Sequence, residues 1–326
     1  MKRLFSFFLI AGCLLATNCL QSTGKKEIQP LKAIKAFDKE GNLAVLDVKK
    51  KVLMFYDKEF TLQWKKKIKG GGPGEVKSPS IMGMGDFIYI YDDKMRKVVT
   101  YDKNGKLLQD RRLGRLFVGL QPLSEEKWVV VEQEVNKKEK KIFYTLKITE
   151  NFEKEEVIET KERPFGFKSI SQFWENYIPF DCWDSEKLYF VKGRGYEIYV
   201  LDLKSGQRKL FYKEDLPEVE LTKEQEKGYK SKLPGMVKML VSKIKSLPVV
   251  EEILSLEKNV VVLTNVLDEK GEKRRVDVFD LEGKKLCSFW SDLSFFRTGE
   301  FLISYERGKD SDVFHFFKIK NEKEGE

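Results

Sequence analysis

With 326 residues, 41% hydrophobic and 13% aromatic, the chain carries enough apolar material for a packed core, which excludes global disorder. Its formal charge of +9 comes from lysines mixed with glutamates along the whole sequence, without an isolated basic block. That reads as a solvated, lysine-rich surface. Nucleic acid is not an expected partner, because the start of the chain points outside the cytoplasm.

Met1-Lys2-Arg3 is followed by a nearly unbroken apolar stretch from Leu4 to Ala16, then by Thr17-Asn18-Cys19. A basic start and an apolar stretch of this length make a secretory signal, too short to span a bilayer. A cysteine just beyond such a stretch resembles a bacterial lipoprotein signal. The resemblance implies that this cysteine becomes the first mature residue and carries lipid. Two cysteines compete for the role. Ile10-Ala11-Gly12-Cys13 is the better local match to the cleavage box but leaves an apolar region of only about six residues. Cys19 has the longer apolar region, and Leu20 to Lys26 after it reads as a tether. The expected lipidation site is therefore Cys19, with Cys13 as second choice. Residues 1–18 become a signal peptide and 19–33 a tether. Cys182 and Cys287 are expected to be buried free thiols, since their spacing does not demand a disulfide.

From residue 34 onward one pattern recurs six times. A polar turn leads into a short apolar run, and a second apolar run follows across a few polar residues. The first runs are Leu43 to Leu46, Phe87 to Tyr91, Trp128 to Val131, Leu188 to Val191, Val260 to Leu263 and Phe301 to Tyr305. The second runs are Val52 to Tyr56, Val98 to Tyr101, Ile142 to Leu146, Ile198 to Leu201, Val276 to Phe279 and Val313 to Phe317. Most of the spacings fall near the 40–50 residues of a four-stranded propeller blade. The runs do not alternate apolar with polar, as strands with one wet face would. Continuous apolar runs fit strands buried on both faces. The segments that follow them, such as Thr61 to Trp64 and Lys106 to Gln109, are more polar and suit a solvated outer strand.

Turn chemistry agrees. Asp102-Lys103-Asn104-Gly105 places Asn-Gly between two runs, a strong hairpin signal. Asp202 to Gly206 and Asp280 to Gly283 repeat it, and Asp57-Lys58-Glu59 holds the same place without glycine. The sequence here resembles the bacterial six-bladed β-propeller family related to NHL-repeat propellers. The residues that carry the resemblance are Gly70 to Glu75, Pro79, Gly85 to Ile90, Arg96 to Tyr101, Asp47 and Asp92. Many members of that family are exported lipoproteins. The expected fold is all-β, a six-bladed β-propeller over 34–326, with a short helical insertion between blades 4 and 5 at about 215–248. The last blade lacks a good outer strand, so Ile28 to Leu31 or the strand near Ile34 is expected to complete it and hide the open edges.

Several segments invite chemistry. The loop Gly72-Pro73-Gly74-Glu75, leading to Pro79, lacks the Gly-Lys-Ser/Thr ending of a phosphate cradle and reads as a structural passage between blades. His315, the only histidine, sits inside a run and reads as packed. Asp181, Asp184 and Asn265 are oxygen donors for an axial divalent metal, though no spacing singles them out. Phe167, Phe173, Trp174, Tyr177 and Trp183 form an aromatic insertion that suits a ligand groove. Met236, Leu240 and Ile244 share one face at helical spacing and suit a lid or partner helix.

The functional expectation is a non-catalytic binding or scaffold propeller without a cofactor, anchored outside the cytoplasm at the cell envelope. The alternative localisation is a soluble periplasmic or secreted protein. Expected partners are membrane lipid, through N-terminal acylation, and a protein or carbohydrate ligand at the propeller mouth. The alternative function is an axial-site enzyme, a lactonase-like hydrolase or lyase, using an oxygen-ligated divalent metal.

Overall fold

The apolar run pairs are the two middle strands of four-stranded antiparallel sheets, six in all. The computed structural model describes residues 19–28, 33–164, 178–182, 185–216, 218–220, 222–223, 246–269, 271, 273–307 and 312–320. From the axis outward, blade 1 comprises Ala33–Phe37, Leu43–Asp47, Val52–Tyr56 and Leu62–Lys67. Blade 2 follows with Pro79–Met84, Ile88–Asp92, Lys97–Tyr101 and Leu107–Arg112. Blade 3 holds Leu116–Pro122, Lys127–Asn136, Lys141–Glu150 and Lys154–Pro164, and blade 4 holds Phe180–Asp181, Lys187–Val191, Tyr196–Asp202 and Arg208–Glu214. Blade 5 is built from Val250–Ser255, Asn259–Leu267, Arg274–Asp280 and Lys285–Ser291. Blade 6 takes Phe295–Thr298, Phe301–Arg307 and Asp312–Ile319, and Leu20–Ile28 completes it.

The absence of alternation in the runs has a direct cause. Successive side chains on a strand point to opposite faces, and both faces of each blade are covered. Ala44 and Leu46 pack with Met82, Ile88 and Val99 of blade 2. Leu43 and Val45, which alternate with them in sequence, pack the other way with Ile303 and Phe314 of blade 6. Each fully buried aliphatic side chain of this kind contributes about 1.5–3 kcal/mol. The outer strand Leu62–Lys67 is mostly exposed. Its Trp64 stacks on Phe55 at 5.8 Å and donates from Nε1 to the Lys103 carbonyl at 2.8 Å, which fastens blade 1 to blade 2.

A repeated aspartate closes the outer hairpins. Asp57 Oδ1 accepts the Glu59 and Thr61 amides, both at 2.9 Å. Asp102 Oδ1 accepts those of Asn104 and Lys106 at 2.9 and 2.8 Å, and Asp280 Oδ1 those of Glu282 and Lys284 at 3.1 and 2.8 Å. Asp202 Oδ1 accepts the Lys204 and Ser205 amides at 3.0 and 2.7 Å. These side chains satisfy turn amides that no strand can reach. Where Gly105 and Gly283 take positive φ, blade 1 uses Phe60 at φ 64°. Its ring packs edge-on against Phe314 and Phe316 of blade 6, which holds this conformation.

Ring closure uses more of the N-terminal segment than expected. Leu20–Ile28 pairs antiparallel with Asp312–Ile319, from Leu20 opposite Ile319 to Ile28 opposite Asp312. The strand at Ile34 is instead the first of blade 1. The stretch read as a tether is polar because it forms an outer strand with one wet face. Gln21 to Lys25 are exposed and the end residues Leu20 and Ile28 are buried. Just before it, Cys19 is bonded to Cys287 on the outer strand of blade 5, with 6.0 Å between Cα atoms and 268 residues between them in sequence. Cys287 is therefore not a free thiol, while Cys182 is buried and in no disulfide.

The helical insertion is corrected. All elements among the described residues are strands. The described ends of the 215–248 segment, Val219–Glu220 and Ser246–Leu247, pair as a two-stranded antiparallel sheet. The residues between these ends, 221 and 224–245, lie outside the described residues. Helical spacing of apolar residues did not take into account that pairing.

Candidate functional site: the axial cavity

The first strands of the six blades surround one lobe of a cavity on the propeller axis, with a volume of about 330 Å³. The other lobe, about 420 Å³, lies among blades 3, 4 and 5. Val118, Phe180, Asp181, Glu252 and Leu254 line both. Each blade contributes one residue that matters to its chemistry: Lys35, Gly83, Gln121, Asp181, Glu252 and Arg297.

Most of these positions latch one blade to another. Arg297 Nη2 of blade 6 donates to Asp181 Oδ1 of blade 4 at 2.5 Å. Asp181 Oδ2 accepts the Ser255 amide at 2.6 Å and the Ser255 hydroxyl at 2.8 Å, both from blade 5. One buried carboxylate thus ties three blades and has its lone pairs satisfied. Gln121 of blade 3 donates through Nε2 to the Cys182 carbonyl and accepts the Cys182 amide at 3.2 Å. Lys35 Nζ lies 3.1 Å from Asp312 Oδ2 and 4.0 Å from the Tyr305 ring centroid, fixed to blade 6. Gly83 makes room for Tyr89, whose hydroxyl donates to the Leu120 carbonyl at 3.0 Å. Burial pushes the Tyr89 phenol well above its ordinary range, so it stays a donor.

Glu252 differs from the others. Among the described residues it has no hydrogen bond or ion pair, and its side chain is open to the cavity. A register shift between Val250 and Glu252 interrupts the pairing of this strand. Such a bulge re-aims the side chains beside it. Protein ringing the carboxyl removes bulk solvent, and this pushes its pKa up to about 8, with Glu251 and Asp181 adding to the rise while Arg274 and Arg297 oppose it.

The glycine loop joins the outer strand of blade 1 to the inner strand of blade 2. Its amides are already taken. Gly72 N donates to Glu75 Oε2 at 2.8 Å and Gly74 N to Asp110 Oδ2 at 2.7 Å. Lys97 Nζ sits 2.7 Å from the same Asp110 oxygen, and Tyr101 donates to the Gly74 carbonyl. A phosphate here would meet two carboxylates. Pro79 starts the next strand opposite Asp92. Asp92 Oδ2 in turn accepts the amides of Lys77 and Ser78, which gives the family's aspartate its structural purpose.

Other expected residues fall elsewhere. Cys19 is buried and its sulfur is joined to Cys287. Cys13, the aromatic set Phe167, Phe173, Trp174, Tyr177 and Trp183, and the set Met236, Leu240 and Ile244 lie outside the described residues, as does Asp184. Asp181 lines the cavity, and Asn265 lines one lobe while donating to the Pro248 carbonyl at 2.9 Å. Among the described residues no group of three or more His, Cys, Asp or Glu is placed to hold a metal ion. His315 sits on the third strand of blade 6, pairs with Lys25 and Ser304, and has its pKa lowered by burial. Glu252 and Arg297 escaped the sequence reading. The available signal was two consecutive glutamates inside an otherwise apolar strand, Val249-Val250-Glu251-Glu252-Ile253-Leu254.

A candidate exported protein from Bacteroides fragilis shares the fold at a TM-score of 0.57, with 13% identity over 94% of this chain and 97% of its own. A member of the DUF4221 family from Bacteroides vulgatus matches at a TM-score of 0.52, with 10% identity over 93% and 98% of the two chains. No curated protein sequence matches. The DUF5128 family model, described as a 6-bladed beta-propeller, matches residues 19–273. With the six sheets closed in a ring by the N-terminal strand, the chain belongs to this 6-bladed beta-propeller family.

Proposed function

We propose that the protein is an extracytoplasmic binding propeller that takes a small ligand on its axis without transforming it. One observation carries this reading. The cavity is walled by all six blades, and the polar side chains of its inner strands, Glu252 apart, are spent on holding those blades together. A rigid, preorganised wall with one uncommitted inner-strand carboxylate suits recognition. Catalysis by general acid and base would call for a second group poised beside the first. Cys182, which is in no disulfide, is packed among Ile178, Leu188 and Phe190, which suits a core sulfur and not a nucleophile.

Export is supported by the basic and apolar start of the chain and by the fold shared with a candidate exported protein. The anchoring residue is reassigned. Since Cys19 is engaged by Cys287, Cys13 takes the lipid. Acylation there holds the ring at the membrane surface. Cys13→Ser is expected to move the protein to the soluble fraction while Cys19→Ser leaves it on the membrane. The reverse result contradicts the reassignment.

The binding reading is tested with a fragment library, by ligand-observed NMR on wild type and on Leu254→Trp, which fills the shared part of the cavity. Hits that bind wild type, compete with one another and disappear in Leu254→Trp support it. Hits that persist undiminished in the filled variant, or none at all, contradict it.

A further inference from the structure

We propose that Glu252 is the recognition carboxylate for a ligand bearing a cationic amine on an apolar body, seated where the two lobes of the axial cavity meet. The inference rests on the axial-binding reading and names its ligand class.

Three observations carry it. The first is geometric: Glu252 lines both lobes, is open to them, and has no protein partner among the described residues. The second is the charge balance around it. Arg297 is held by Asp181, Arg274 by Glu251 and Lys35 by Asp312. On the strands these pairs match cation with anion one for one and leave Glu252 over, while the exposed loop residues Lys39 and Asp86, which also line the cavity, carry opposite charges. An anionic ligand would face Asp181, Glu251 and Glu252 with Arg297, Arg274 and Lys35 already engaged. A cation would complete the last pair. The third is the wall. Tyr89, Phe180 and Phe295 line the 330 Å³ lobe, and aromatic side chains accept both apolar bodies and ammonium groups. The volumes suit one small molecule.

The raised pKa of Glu252 fits this arrangement. The charged groups facing it are Glu251 and Asp181, which favour a positive partner, and Arg274 and Arg297, which oppose it. Near neutral pH a proton fills the role. An ammonium ion displaces that proton, so binding releases one proton per ligand below pH 8 and none well above it.

The probes are phenethylamine and phenylacetate, matched in size and opposite in charge, titrated at pH 6, 7, 8 and 9. The amine stays protonated through most of this range, as a lysine does. Its apparent affinity is expected to rise about tenfold per pH unit up to about pH 8 and then to level off. Glu252→Gln should weaken it at least tenfold and flatten the profile, whereas Glu252→Asp, which restores the charge, should keep the slope. Phenylacetate should bind more weakly than the amine at every pH. Equal binding of the two probes, or an amine affinity unchanged in Glu252→Gln, overturns the assignment while leaving axial binding intact. If neither probe binds on the axis but uncharged fragments do, the charge claim falls alone. If nothing binds there, both readings fall.

Discussion

The Tyr89 ring lies directly over Gly83 on the neighbouring strand of blade 2, and its hydroxyl reaches the Leu120 carbonyl of blade 3 at 3.0 Å. A Cβ at position 83 would overlap the phenol. Gly83→Ala is therefore expected to displace the ring, break the bond to Leu120 and cost about 1–3 kcal/mol, an overpacking penalty. Urea unfolding measures it. The double variant Gly83→Ala/Tyr89→Ala should fall short of the sum of the two single losses, because the alanine no longer meets a ring.

Asp181 joins three blades through Arg297 and Ser255. Its removal leaves a half-buried guanidinium and two donors without an acceptor. Asp181→Ala is expected to cost about 3–5 kcal/mol, in line with breaking one side of a buried pair. Asp181→Asn keeps an acceptor oxygen and should cost less. Equal losses in the two variants, measured by denaturant unfolding, would show that the charge and its hydrogen bonds do not hold the blades.

The Cys19–Cys287 bond ties the closing strand to blade 5. A crosslink over so long a loop restricts the unfolded chain and typically adds about 2–5 kcal/mol. Cys287→Ser should lose that amount, and reduced wild type should match the variant. A non-reducing peptide map should recover the Cys19 and Cys287 peptides as one species. Recovery of Cys287 as a free thiol would sink the claim.

The elevated pKa of Glu252 makes stability depend on pH. The ordinary value is near 4.5 and the folded value about 8, so between them the folded state binds more protons than the unfolded one. Stability from this group is complete below about pH 4.5 and declines as pH rises, until it is gone above about pH 8. Glu252→Gln cannot lose a proton. It should be relatively more stable than wild type at pH 9 than at pH 5, as chemical denaturation at the two pH values would register.

The parts of this fold that were legible in the sequence are those where local chemistry and burial agree. Middle strands such as Ile88–Asp92 are covered on both faces, so their runs are continuous. Asp102 with Gly105 marks a turn through bonds within five residues. The axial strands were not legible. Phe180–Asp181 is two residues long, too short for any period. Glu252 is aimed by a bulge, which erases the alternation that would have placed it. Leu20–Ile28 looked like a tether because its partner lies nearly 300 residues away, and no local pattern reports such a pairing.

Ligand binding on the axis can be read by methyl NMR, because Ile81, Val118, Leu120 and Leu254 line the cavity while Leu62, Leu108 and Leu210 sit exposed at the rim. Titration with phenethylamine at pH 8 should shift the first group and leave the second in place. Shifts confined to the rim methyls would contradict the account.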